Sequence, residues 1–295
     1  MRITNFGSLN IDHVYKVDSF VQPGETIRAR TYSRFPGGKG LNQSVALARA
    51  GVKVRHAGLV GSDGSFLVSE LQKNGVDVSF VQTSDAPTGH AVIQVNKDAE
   101  NSIVVFGGAN ECLSDDYIQL LTESLTSDDF VLIQNEINSV ETIIKRSKAK
   151  GVKICFNAAP YSEKVSSLPL EDVTYLFVNE NEARGLTGEN NSSDAIQKLS
   201  ALYPRTHIIM TLGSKGATYI FQDVRETVQA CKVTSKDTTG AGDTFVGFYM
   251  AFVMEGHSPK QCLEFASRAA AISTTREGAA SSIPSRDEVV SWQFL

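Results

Sequence analysis

The sequence predicts an α/β protein with a central, mainly parallel sheet and a small β-sheet lid, and three observations predict it. From about residue 129 onward, short β-rich runs alternate with helix-period segments: FVLIQ, VETIIKRSKAK, VKICF, and later YLFV, AIQKLSALY and HIIMTL. This is the rhythm of βαβ units, whose crossover helices cover a parallel sheet. In the first half, after an apparent strand in ITNFGSL, the segments HVYKV, TIRARTYSRF, HAVIQV and SIVVF are short, partly alternating and parted by turns such as PGE and NKDAEN. They predict a small, mainly antiparallel sheet set onto the α/β body. Two helices open behind glycines. One starts near Lys39 and lines up Leu41, Val45 and Ala48; the other follows residue 240 with Phe245, Tyr249 and Phe252 on one face.

The segments join without a linker-like stretch, internal repeat or low-complexity tract. A single domain over residues 1–295 is therefore expected, with lid segments near 11–36 and 88–107. A chain of 295 residues, 41% hydrophobic, can bury a substantial core. Its formal net charge of −5, without a clustered lysine and arginine footprint, weighs against a nucleic-acid partner. Cys112, Cys155, Cys231 and Cys262 lie far apart, with no CxxC pair and no histidine at zinc-ligand spacing, so they read as reduced thiols. No apolar run approaches the roughly 20 residues of a membrane span. The opening MRITNFGSLNID lacks a leader's apolar core and cleavage site. The expected location is the cytoplasm, with small-molecule ligands and no membrane contact.

The strongest chemical signal is DTTGAGDTF, Asp237 to Phe245. Gly240, Ala241 and Gly242 lack bulk, so their backbone can approach a ligand and aim several N–H groups at one point. A helix N-terminus adds roughly half a positive charge, which suits a phosphoryl group in transfer. Asp243 then stands where it can accept a proton from an attacking hydroxyl, help worth about 10²–10⁴-fold. The same aspartate could instead be a helix cap, and the spacing alone leaves both open. Intramembrane aspartyl proteases also carry GxGD, but no membrane helices are present here.

Other candidates sit at strand ends. PGGKGLN is not a Walker loop, because Lys39 is followed by Gly40 and not by Ser or Thr. It offers Gly38, Lys39 and Asn42 to a polyhydroxylated ligand, or forms a plain strand-to-helix turn. GSLNID supplies Asn10 and Asp12 on one side of an extended chain, and Glu136 follows FVLIQN in the same way. In VNENEA, Asn179 and Glu182 are three apart: they could face a hydrated magnesium ion or form a capping box. TLGSKGA offers Thr211, Gly213 and Ser214, or a hairpin turn into ATYIF.

Taken in order, GSLNIDH, PGGKGLNQ, VNENE, TLGSKG and DTTGAGDTF resemble the ribokinase family of sugar kinases, over nearly the whole chain. Each motif is weak alone; the ordered set is specific. The resemblance implies a ribokinase-like three-layer sandwich with a lid over the sugar, and transfer of the ATP γ-phosphoryl group to a sugar's primary hydroxyl. It makes Asp243 the base and Gly240, Ala241 and Gly242 the anion hole. Sugar contacts fall on Asn10, Asp12, Gly38, Lys39, Asn42, Glu136 and Asp243. Asn179 and Glu182 take the magnesium and phosphate side, and Thr211, Gly213 and Ser214 the ATP chain. REGAASSIP matches the family's closing segment, so Asp237, the carbonyls of Thr239, Ser273, Arg276 and Gly278, and the Ser282 hydroxyl become potassium ligands.

Three positions depart from the family pattern: FGGAN at Phe106–Asn110, the first alanine of NAAP at Asn157–Pro160, and Phe248. None touches Asp243, but they bear on the identity of the sugar. The polar set suits D-ribose; another furanose, a deoxy sugar or a nucleoside, and a silent sugar or nucleotide sensor, stay as alternatives. Exposed lid edges with alternating apolar residues predict a homodimer through the lid.

Overall fold

The computed structural model describes residues 1–98 and 100–292. Residue 99 of the expected lid and residues 293–295 of the expected domain lie outside the described residues. In chain order the elements are β1 (Ile3–Phe6), β2 (Asn10–Lys16), β3 (Thr31–Gly37), α1 (Lys39–Arg49), β4 (Val54–Val60), α2 (Ser65–Lys73), β5 (Asp77–Thr83), β6 (Gly89–Val95), β7 (Asn101–Phe106) and α3 (Asp115–Glu123). Then come β8 (Phe130–Gln134), α4 (Val140–Ala149), β9 (Lys153–Asn157), β10 (Tyr175–Asn179), α5 (Glu180–Thr187), α6 (Ser192–Leu202) and β11 (His207–Thr211). The hairpin β12 (Ala217–Phe221) and β13 (Val224–Val228) precedes α7 (Ala241–Met254), α8 (Pro259–Thr274) and α9 (Arg286–Ser291).

The larger sheet runs β13-β12-β11-β10-β9-β8-β1-β4-β5, parallel except where β12 and β13 turn back at one edge. Its inner strands are apolar on both faces, so alternate residues feed two cores. Leu132 packs with α1, α2, α7 and α8 on one side, while its neighbours Val131 and Ile133 pack with α3, α4 and α6 on the other. Helices therefore cover both faces, giving three layers. The chain goes from β1 outward through β4 to β5, then restarts on the other side of β1 with β8. Loops leaving β1 and β8 part in opposite directions there, and such a switch point leaves a crevice at the strand ends.

The smaller sheet runs β3-β2-β6-β7. Its two outer pairings are antiparallel and the central β2–β6 pairing is parallel, so the sheet is mainly antiparallel as expected. TIRARTYSRF contributes strand only from Thr31; before it, Arg30 pairs with Asp18 and its N–H with the Lys16 carbonyl.

β4, α2 and β5 also belong to the parallel body, although the βαβ rhythm in the sequence begins only near residue 129. The reason is local: β4 is fully buried yet carries Arg55 and His56. Arg55 is accommodated by Thr4 Oγ1 and by the Phe80 ring 4.6 Å away, and burial lowers the His56 pKa to about 4, keeping the ring neutral. β5, an edge strand, alternates like a lid strand.

Two close approaches fix the helices that matter below. Gly40 at the start of α1 lies on the backbone of Gly7 and Ser8, and Leu41 N–H donates to the Ser8 carbonyl at 3.0 Å. Gly247 of α7 lies against Ala46 of α1, where any Cβ would collide. Alanine should favour a helix over glycine by about 1 kcal/mol. We expect Gly247→Ala to lower the urea midpoint nonetheless, by the equivalent of about 1–3 kcal/mol of overpacking. Ala46→Gly added to it should recover part of the loss. A raised midpoint for the single variant would contradict this packing.

Candidate active site

α7 begins at Gly240, whose φ of 73° places it in the left-handed region glycine tolerates. The turn aims N–H groups forward: among the described residues those of Gly240, Gly242 and Asp243 find no protein acceptor, while that of Ala241 turns back to the Thr238 carbonyl at 3.3 Å. Ala241 thus contributes less to an anion hole than the sequence suggests, and Asp243 adds a donor it did not. Phe245, Tyr249 and Phe252 are buried as their spacing predicts and hold the helix rigid.

Asp243 is not the helix cap; Gly240 holds that position and Asp243 is the third helical residue. Its carboxylate is buried and points to α1, where Oδ2 accepts from Asn42 Nδ2 at 3.0 Å and Oδ1 from Gln43 Nε2 at 2.9 Å. Among the described residues Asn42 Oδ1 finds no protein partner for its buried oxygen, an acceptor suited to a ligand hydroxyl.

Around this carboxylate the structure gathers most of the sugar candidates. Glu136, leaving β8, accepts from Ser8 Oγ at 2.5 Å and from the Lys39 N–H at 2.9 Å, closing the crevice between β1 and β8. Gly38 precedes α1 with a φ of 91°, and its Cα rests near Ser8 and Asn10. Asp12 lies over Gly37, which has no room for a side chain. Burial, and then the charges of Glu136 and Asp243, raise the Asp12 pKa to about 7. Lys39 answers them: chiefly Asp243, against the cost of burial and with help from Glu136 and Glu182, raises its pKa. Asn10 is buried, its Oδ1 accepting from Asn110 Nδ2 at 2.7 Å.

Two cavities meet at the start of α7. The smaller, about 240 Å³, is lined by Lys39, Asn157, Asn179, Glu182, Gly242 and Asp243. The larger, about 510 Å³, opens between the β11–β12 turn and α8, with Thr211, Gly213, Ser214, Cys231, Phe245 and Ala271 in its walls. Thr211, Thr238 and Gly242 belong to both. The TLGSKGA segment is therefore both a hairpin turn and a cavity wall.

Asn179 and Glu182 form the capping box of α5: Asn179 Oδ1 accepts from the N–H groups of Asn181 and Glu182, and Glu182 Oε2 accepts from the Asn179 N–H at 2.6 Å. With Oδ1 so engaged, Asn179 is a poor magnesium ligand and keeps only its amide donor for the cavity. Burial raises the Glu182 pKa, opposed by the Asn179 bonds and Lys39.

Asp237 sits beside the glycine turn. Burial opposes its charge, but Thr239 N–H and hydroxyl at 2.9 and 2.6 Å, and Gly278 N–H at 2.9 Å, outweigh it and lower its pKa. Asp237 N–H also donates to Thr274, so the loop holding Ser273, Arg276, Gly278 and Ser282 folds against it, and Ala279 packs on Gly240. Carboxylate and carbonyl oxygens fit a hard cation.

Sequence reasoning missed Ser8, Gln43, Asn110, Asn157 and Gln134. Gln43 follows Asn42 directly in PGGKGLNQ, and Gln134 ends an otherwise apolar buried strand; polar residues in such places were the available signal. Of the departures, Phe106 packs on His90 in the lid, Phe248 is in the core, and Asn110 anchors Asn10.

Asp12 carries a pH prediction. Its raised pKa means the folded chain binds the proton more tightly than the unfolded one, so its stabilising contribution is complete below about pH 4 and lost as pH rises through about 7. Asp12→Asn, which mimics the protonated form, should raise the unfolding temperature of the ligand-free protein by a few degrees near pH 8 and change it little near pH 4. A stabilisation independent of pH would contradict the shift.

The pfkB family carbohydrate kinase model matches residues 2–286. Ribokinase of Haemophilus influenzae is 36% identical over 302 residues, covering 99% of this chain and 98% of that one. Ribokinase from Thermotoga maritima superposes with a TM-score of 0.86 at 36% identity, covering 98% of each chain. Arabidopsis thaliana ribokinase complexed with ribose and ATP does so with a TM-score of 0.86 at 30% identity, covering 98% of this chain and 97% of that one. A parallel-sheet body with a separate lid, an aspartate at a glycine-opened helix and full-length similarity agree: the chain is a carbohydrate kinase of the pfkB family, within its ribokinase group.

Proposed function

We propose that this chain transfers the γ-phosphoryl group of MgATP to the primary hydroxyl of D-ribose, giving ribose 5-phosphate. The observation that carries this reading is the placement of Asp243, buried, held by two amide donors and lining the smaller cavity next to Gly242, which both cavities share. ATP lies in the larger cavity along Thr211, Gly213 and Ser214, its phosphates reaching Asn179 and the turn at Gly240–Gly242. The sugar lies under the lid against Asn10, Asp12, Gly38, Lys39, Asn42 and Glu136. Asp243 takes the proton as the hydroxyl oxygen attacks phosphorus. The N–H groups of the turn and the Lys39 ammonium receive the charge that spreads over the phosphoryl oxygens. Positioning supplies much of the rest, since both reactants are held in one water-poor crevice.

Magnesium neutralises charge on the β- and γ-phosphates when bound. Glu182 is the group we place beside it, through water, and Asn179 contacts phosphate instead. The oxygen set at Asp237, Thr239, Ser273, Arg276, Gly278 and Ser282 is assigned to potassium, which would stiffen the turn from behind. A single kinase domain is proposed for the chain, with the lid as its flap. Its four cysteines are unpaired thiols, which suits the cytoplasm.

The test is ADP formation from MgATP with D-ribose, 2-deoxyribose, fructose and a set of nucleosides, each in potassium and in sodium. Ribose should turn over fastest and potassium should raise the rate. A faster nucleoside or other sugar would overturn the ribose assignment, and no turnover with any would favour a sensor.

The lid carries the second test. Ile103, Val104, Val105 and Phe106 on edge strand β7 are half or more exposed, and a second copy of the chain is the proposed cover. Light scattering should give the dimer mass, and Val104→Lys should shift it toward the monomer. A monomer at all working concentrations would contradict the dimer.

A further inference from the structure

Behind Asp243 runs a buried chain of side chains in which donation runs outward from Gln134, one way to the Gly7 carbonyl and the other way to Asp243. At its far end the Gly7 carbonyl can only accept, so His56 Nε2, 3.2 Å away, carries the proton and His56 Nδ1 accepts from Ser44 Oγ at 2.8 Å. Ser44 Oγ in turn accepts from Asn5 Nδ2 at 2.9 Å, and the same amide nitrogen donates to the Gly40 carbonyl at 2.8 Å. Asn5 therefore presents its oxygen to Gln134 Nε2 at 2.9 Å. Gln134 Nε2 also donates to Gln43 Oε1 at 2.7 Å, which leaves Gln43 Nε2 to donate to Asp243 Oδ1. Asn5, Gln43, Ser44, His56 and Gln134 are each 0% exposed. Burying five polar groups in the core of α1, β1, β4 and β8 is costly unless they are paired; here every side-chain amide nitrogen of this hydrogen-bonded chain finds an acceptor, and among the described residues Gln134 Oε1 is its one oxygen left without a protein partner. Two backbone carbonyls, of Gly7 and Gly40, fix which way each amide faces.

We propose that Gln43 is a positioning residue for the phosphoryl-transfer reaction: held by Gln134 and Asn5, it keeps Asp243 Oδ1 as a hydrogen-bond acceptor and stops the carboxylate from rotating. The proton of the sugar hydroxyl then passes to Oδ2, beside Asn42, as the hydroxyl oxygen bonds to phosphorus and the bridging oxygen leaves with ADP. Gln43 touches neither substrate in this arrangement. Its influence reaches the reaction only through Asp243, so this inference rests on the reading of Asp243 as the base.

A double-mutant cycle of Gln43→Met with Asp243→Asn, followed by steady-state kinetics in the sugar and in MgATP, tests it. Loss of a hydrogen bond to a charged group predicts a fall in kcat of about 10–100-fold for Gln43→Met, with both KM values within about threefold of the unaltered enzyme. In the Asp243→Asn background the same change should have little further effect. Gln43→Asn, one methylene too short to reach, should behave alike and serves if the methionine variant does not fold. A rise in KM with kcat unchanged, or a kcat loss that persists undiminished beside Asp243→Asn, would overturn the positioning role. Full turnover by Asp243→Asn alone would instead remove the base reading beneath it.

Discussion

The carboxylate of Asp243, gripped by Asn42 and Gln43 at the start of α1, is the contact on which the site depends. It joins residues 200 and 201 positions apart on two helices, and each helix needs separate support to bring its end of the bond into place. α1 is pinned by glycine contacts to the end of β1; α7 is pinned by aromatic packing and by the Gly247–Ala46 approach. These are backbone-level contacts, so small side chains at a few positions decide whether the donors reach.

That grip also organises the charge. Glu136 and Asp243 act on both Asp12 and the Lys39 ammonium, and Glu182 adds to the charge around Lys39, within a largely buried crevice. Asp12 responds by holding its proton to about pH 7, and Lys39 by holding its own more tightly. An arrangement so rich in acceptors suits a ligand made of hydroxyl donors. The opposite wall of the smaller cavity, built from the opening of α7, offers donors and the positive end of a helix dipole, the complement of a phosphate. In the proposed function one site thus presents acceptors to the sugar and donors to the transferring group, with Asp243 at the boundary.

Much of this was legible in sequence because it rests on local signals. Glycine turns before apolar-periodic helices announced both α1 and α7, and strand ends announced Asn10, Asp12 and Glu136. The capping box at Asn179 and Glu182 was equally visible, but only the structure shows that it forms and removes Asn179 Oδ1 from metal binding. What could not be read was long-range. β4 hides its core position behind Arg55 and His56, whose partners lie on other elements. Gln43, Gln134 and Asn5 are ordinary amides in sequence, and their meaning arises when three separate elements bring them into one line. The parallel β2–β6 pairing at the lid's centre follows from how the lid strands leave the body, which no alternation pattern encodes.

The most direct measurement is a crystal structure of the protein with ribose and a non-hydrolysable ATP analogue. The account predicts the sugar's primary hydroxyl within about 3 Å of Asp243 and in line with the terminal phosphorus, which lies over the N–H groups of Gly240 and Gly242. A sugar bound with its primary hydroxyl turned away from Asp243, or a terminal phosphate that does not reach this turn, would contradict it.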